Sequence, residues 1–140
     1  MARSFRPRAR CRLEIRATPE AVHVQVAQIE AIPPVVVEYR QLLDRDDAVG
    51  TLQGPLPVPL QGSGDLRENS FAWSELNLPK ITSAFQAARR AVDPADGRVQ
   101  ELVIRRMLPI HRGIRARIFV ASPRMNGSLD TNQNGIPVKS

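Results

Sequence analysis

An α+β fold, with one or two helices packed on an antiparallel β-sheet meander, follows from three features of the sequence. Apolar and charged residues alternate with period two in several stretches, residues 77–92 carry a capped amphipathic helix, and turn residues separate the alternating stretches at short intervals. With 140 residues and 42% hydrophobic content, the chain fits one core.

Residues 1–10 read as a disordered basic arm, because Pro7 and the spaced Arg3, Arg6, Arg8 and Arg10 offer little to bury. A single α+β domain then spans 11–140. Within 11–48, "CRLEIRA" alternates Cys11, Leu13, Ile15 and Ala17 against Arg12, Glu14 and Arg16, and "AVHVQVAQI" repeats the pattern with Val22, Val24 and Val26. A hairpin through Thr18, Pro19 and Glu20 joins these two strands. "PPVVVEYRQLLDRDD" places Val36, Tyr39, Leu42 and Leu43 at helical spacing behind a proline, predicting a short helix from about Val35 to Asp44, although the valine triplet also suits a strand. Residues 49–70 concentrate Gly54, Pro55, Pro57, Pro59, Gly62 and Gly64 and read as a long loop through which neither helix nor central strand can run.

Residues 77–140 carry the clearest signals. Asn77 caps a helix with Pro79 in its first turn and Ile81, Ala84, Phe85, Ala88 and Val92 on one face. "RVQELVIRRM" and "GIRARIFVA" are strands, and "SLDT" and "IPVKS" complete a meander with turns at Asn126-Gly127 and Asn134-Gly135. Asn134-Gly135 suits a type I′ turn, since both residues accept positive φ. The expected core joins Ile81 and Phe85 to Leu102, Ile104, Ile118 and Val120. The order of this helix, "GRVQELVIRR", "IRARIFVASP" and "GSLDTNQNGIPVKS" resembles the PepSY type of small α+β module, whose helix packs on a curled antiparallel sheet and whose last hairpin often carries an acid followed shortly by glycine, here Asp130 and Gly135. The resemblance implies a noncatalytic module that binds or restrains other proteins.

Charge is the sharpest functional signal. Lys and Arg total 20 against 14 acids, and all but Lys80 and Lys139 of the basic residues are arginine. Residues 1–13 hold five arginines and residues 102–129 hold six, with no acid in either block, so the rest of the chain is net acidic. On the second strand Arg115, Arg117 and Phe119 alternate with core residues. With Arg105, Arg106, Arg112 and Arg124 they form a candidate surface for an anionic partner. The alternative is that these arginines meet the chain's own acids at Asp44, Asp46, Asp47, Asp65, Glu68 and Glu75.

Catalytic, metal and cofactor signals are weak. "DTNQNG" offers calcium-loop residues at Asp130, Asn132, Asn134 and Gly135, but Pro137 occupies the position of a paired strand residue and no carboxylate closes the loop, so it reads as a turn. His23 and His111 lie far apart with no companion ligands, and no serine has a nucleophile-elbow context. No catalytic residue, metal or cofactor is expected. No apolar run approaches the roughly 18 residues needed to span a bilayer, and the first residues lack the apolar segment of a secretory signal, so the expected location is cytoplasmic. The expected function is a small nonenzymatic module acting on a protein partner through its sheet and loop surfaces. A nucleic-acid-associated protein using the arginine-rich sheet face and basic arm is the alternative, and an unrecognised enzyme the second alternative.

Overall fold

The computed structural model describes residues 12–28, 35–42, 52–59, 66–107 and 111–138, the side chains of Arg67, Met107, His111 and Arg112 excepted. The basic arm at residues 1–10 lies outside the described residues, as do Cys11, Asp44, Asp46, Asp47 and Asp65.

Among the described residues, eight strands form one antiparallel sheet: β1 (Arg12–Ala17), β2 (Ala21–Gln28), β3 (Val35–Leu42), β4 (Leu52–Val58), β5 (Arg98–Met107), β6 (His111–Ala121), β7 (Asn126–Thr131) and β8 (Pro137–Val138). Their spatial order is β4-β3-β2-β1-β5-β6-β7-β8, so two four-stranded meanders meet at an antiparallel β1·β5 pair. This corrects the α+β expectation. Strand accounts for 57% and helix for 20% of the described residues, and the C-terminal meander is half of a larger sheet.

Two N-terminal segments make the difference. Val35–Leu42 is a strand rather than a helix, registered against β2 from Ala21↔Leu42 to Gln28↔Val35. Three consecutive β-branched valines lose rotamer freedom in a helix but fit a pleated surface. The Pro/Gly-rich stretch contains β4, which among the described residues pairs with β3 on one side only. Pro55 and Pro57 have no N–H to donate, and an edge strand is where a sheet tolerates that loss.

The predicted β1–β2 hairpin is present: Thr18 N–H donates to the Ala21 carbonyl at 2.9 Å, and Ala21 N–H donates to the Thr18 hydroxyl at 3.2 Å. The helical region between β4 and β5 contains α1 (Leu66–Asn69), a 3-10 turn at Trp73–Glu75, α2 (Leu78–Ser83) and α3 (Phe85–Val92). Asn77 Oδ1 accepts from Lys80 N–H at 3.2 Å, capping α2 as its spacing predicts. The helix breaks at Ala84, where the hydroxyls of Thr82 and Ser83 donate to the carbonyls of Leu78 and Lys80 at 3.0 and 2.7 Å. Such side-chain bonds compete with the helical ladder.

Among the described residues, a core lies between this helical region and the sheet, built from Ile15, Phe71, Ile81, Ala88, Leu102, Ile104, Ile114, Ile118 and Val120 among others. Phe85, expected in the core, is only partly buried, because Ile81, Ala84 and Ala88 take the centre of the helix face and leave Phe85 on its flank. Phe71 is fully buried instead. Its backbone bridges Arg12 of β1, with Phe71 N–H donating to the Arg12 carbonyl at 2.8 Å.

Both Asn-Gly turns differ in detail from expectation. At the second, Gly135 N–H donates to the Asn132 carbonyl at 3.1 Å and only Gly135 has positive φ, at 74°, so the mirror-image turn is replaced by one closed with a left-handed glycine. Asn132 Oδ1 stabilises it by accepting from Asn134 and Ile136 N–H at 2.9 and 3.1 Å. At the first, Ser122 makes the turn: its hydroxyl accepts from Arg124 and Met125 N–H, both at 3.1 Å. Asn126-Gly127 begins β7, and a Cβ on Gly127 would lie 2.9 Å from Val92 Cγ2. Gly127 thus serves close approach between α3 and the sheet rather than a turn.

Candidate binding face of the sheet

Alternation along β6 sends Ile114, Ala116, Ile118 and Val120 into the core and leaves Arg115, Arg117 and Phe119 on the face away from the helices. Register then assembles a grid. Arg115 stands opposite Arg105 of β5, and Arg105 opposite Glu14 of β1; Arg117 stands between Val103 and Asp130, with Arg16 beyond Val103; Phe119 stands between Glu101 and Ser128. The centre of this grid is a shallow concavity of about 130 Å³. Val103, only 9% exposed, forms part of its floor.

The charges in the concavity are unequally satisfied. Arg117 makes a two-pronged ion pair with Asp130, Nε to Oδ1 at 2.8 Å and Nη2 to Oδ2 at 3.0 Å, and Asp130 is 8% exposed. Hydrogen bonding to Asp130 raises the Arg117 pKa against the opposing effect of burial. The carboxylate that opens the calcium-loop-like stretch is thus paired with Arg117 on both oxygens. Arg16 reaches Glu14 at 3.7 Å and Glu101 at 3.6 Å, loose contacts for an exposed side chain. Arg105 and Arg115 make no ion pair or side-chain hydrogen bond among the described residues.

The other arginines proposed for an anionic partner go elsewhere. Arg106 lies on the helical side, donating to the Ser70 carbonyl at 2.8 Å and to Glu75 Oε1 at 3.0 Å, and so ties the segment around Phe71 to β5. Glu75 is the one acid of the expected central set that meets a candidate arginine among the described residues. The Arg112 side chain lies outside the described residues.

Arg124, in the β6–β7 turn, holds Asp93 at the end of α3, with Nη2 at 2.8 and 3.0 Å from its two oxygens, and also reaches Asp96 at 2.7 Å. A hydrogen bond from Ser122, then those from Arg124 and the N–H groups of Asp96 and Ala95, outweigh burial and lower the Asp93 pKa to about 2. A carboxyl depressed in the fold contributes stability above its unfolded pKa and loses it as pH falls through the folded value. The pH-dependent part of the stability advantage over Asp93→Asn should thus be complete above about pH 5 and be lost progressively as pH falls through about 2. Urea midpoints measured across that range check this; a difference independent of pH would contradict it.

His23 faces the same side of the sheet on β2, where its Nδ1 accepts from Arg40 Nε at 3.3 Å with Glu38 3.6 Å away. Among the described residues, no group of three His, Cys, Asp or Glu is placed to hold a metal, and no helix is long and apolar enough to cross a membrane. The contributions of Glu14, Arg16, Glu101 and Val103 were not expected. Their alternation is visible in the sequence, but the β1·β5 pairing that brings them beside Arg105 and Arg117 is not. Comparison with known proteins found no matching family model, no matching curated protein and no matching solved structure.

Proposed function

We propose that this protein is a noncatalytic module that takes a protein partner on the face of β1, β5, β6 and β7 that points away from the helices. The observation that carries this reading is the charge grid itself: four arginines and three carboxylates around one shallow concavity, beside an aromatic ring, Phe119, that is 36% exposed. Interleaved charges of both signs specify a partner by complementarity and penalise mismatched ones. The exposed ring supplies apolar contact area of the kind that anchors interfaces. The resemblance of residues 77–140 to PepSY-type modules points in the same direction.

The rival reading, association with nucleic acid, draws on the five acid-free arginines of residues 1–13. It draws less on the sheet face, where Arg117 is already paired with Asp130 and, among the described residues, Arg105 and Arg115 alone lack such a partner, few contacts for a phosphate backbone.

The test is capture from the native host under nuclease treatment, comparing the wild type with Phe119→Asp and, as a control on the outer helix face, Gln86→Ala. A protein retained by the wild type and the control but lost with Phe119→Asp is the expected result. Recovery of the same proteins by all three baits would refute the docking face, and recovery that disappears with nuclease would favour the rival.

A further inference from the structure

We infer that Arg105 and Arg115 together form a subsite for one carboxylate of an acidic peptide segment; this rests on the protein-docking function proposed above and names its chemistry. The two residues are direct cross-strand partners in the β5·β6 ladder and face the same side. Like charges so placed repel and destabilise a sheet. Relief is available elsewhere on this face, where Asp130 saturates Arg117 and Arg16 lies between Glu14 and Glu101. Nothing equivalent serves Arg105 and Arg115 among the described residues, although Glu14 is registered beside Arg105.

Charge balance narrows the ligand. Four arginines and three carboxylates leave the concavity with an excess of one positive charge, which one monoanion neutralises. A planar carboxylate also matches the donor fork of a guanidinium. The partly exposed Phe119 ring, two strand positions beyond Arg117 on the same face, gives the methylene stem of a glutamate an apolar neighbour.

The experiment titrates the intact protein with a hexaglutamate peptide while recording arginine Nε–H resonances and, separately, melting temperature. Arg105 and Arg115 should shift together, with Arg106 and Arg124 unmoved because each holds an ion pair away from the concavity. Arg115→Gln should weaken binding at least tenfold yet melt at or above the wild-type temperature, since it removes a repulsion; Arg105→Gln should behave alike and serves if the first variant does not fold. Equal shifts across all exposed arginines, or affinity within twofold of wild type in both variants, would overturn the subsite. So would a thymidine hexanucleotide that shifts the pair at lower concentration than hexaglutamate. Recovery of the native partner by Phe119→Asp would defeat the docking face while leaving a selective hexaglutamate response intact, so the two ideas fail separately.

Discussion

Phe71→Ala should lower the stability of this protein by roughly 3 to 5 kcal/mol, the cost of a large cavity where a fully buried ring has been removed. Phe71 has no exposed surface and packs in the cluster that also holds Ile15, Ile81, Ile104 and Ile118. Its surroundings have little freedom to collapse. Its own backbone is bonded to Arg12, and the adjacent segment is clamped by Arg106 through the Ser70 carbonyl and Glu75, whose other oxygen accepts from Ala72 N–H at 2.7 Å. The denaturant midpoint should fall with little change in slope. Phe85→Ala should cost clearly less, because that ring is only partly buried; equal effects of the two substitutions would contradict the assignment of the core.

Gly135→Ala is the second large effect, and its origin is backbone geometry. The φ of 74° is one that residues with a Cβ adopt at a cost of about 1 to 3 kcal/mol. Space compounds the strain: a Cβ there would collide with the Lys80 carbonyl and sit 2.9 Å from Ile81 N, at the start of α2. Neither obstacle is a flexible side-chain end. The β7–β8 hairpin would have to lift from the helix, breaking the bond from Asn77 N–H to the Gln133 carbonyl, 2.9 Å long. A loss of roughly 3 kcal/mol or more in urea unfolding is expected, combining the strain with the lost contact. Gly127→Ala, against the side chain of Val92 alone, should be milder.

What could be read from the sequence was local, and what escaped was long-range. The β1–β2 hairpin, the Asn77 cap and the inward set of β6 depend on neighbours within a few residues, and period and turn chemistry specify them. Val35–Leu42 shows the limit. Its apolar spacing fits a helix, its β-branching fits a strand, and the decision comes from β2, which gains a partner along its whole length. The prolines of β4 were informative about a central strand and silent about an edge. Phe71 escaped because it lies in an irregular segment with no period to place it, and its backbone bridges Arg12, a residue far away in sequence.

The candidate face divides along the same line. Alternation alone put Arg115, Arg117 and Phe119 together, and counting back from the β6–β7 turn would have paired Arg117 with Asp130. Whether an arginine is occupied depends on which acid the fold delivers, and so Arg106 and Arg124 look in sequence like Arg105 and Arg115. The structure separates them: the first two carry ion pairs that secure the helical region and the β6–β7 turn, and the second two face the concavity.

The most direct test of the docking face is to map the captured partner by NMR on the labelled protein, following the Phe119 ring and the Val103 methyl groups against those of Ile81 and Val92. Perturbation concentrated at Phe119 and Val103, with the core helix signals unmoved, is the predicted result. Perturbation centred on α2 and α3, with Phe119 and Val103 unchanged, would contradict the account.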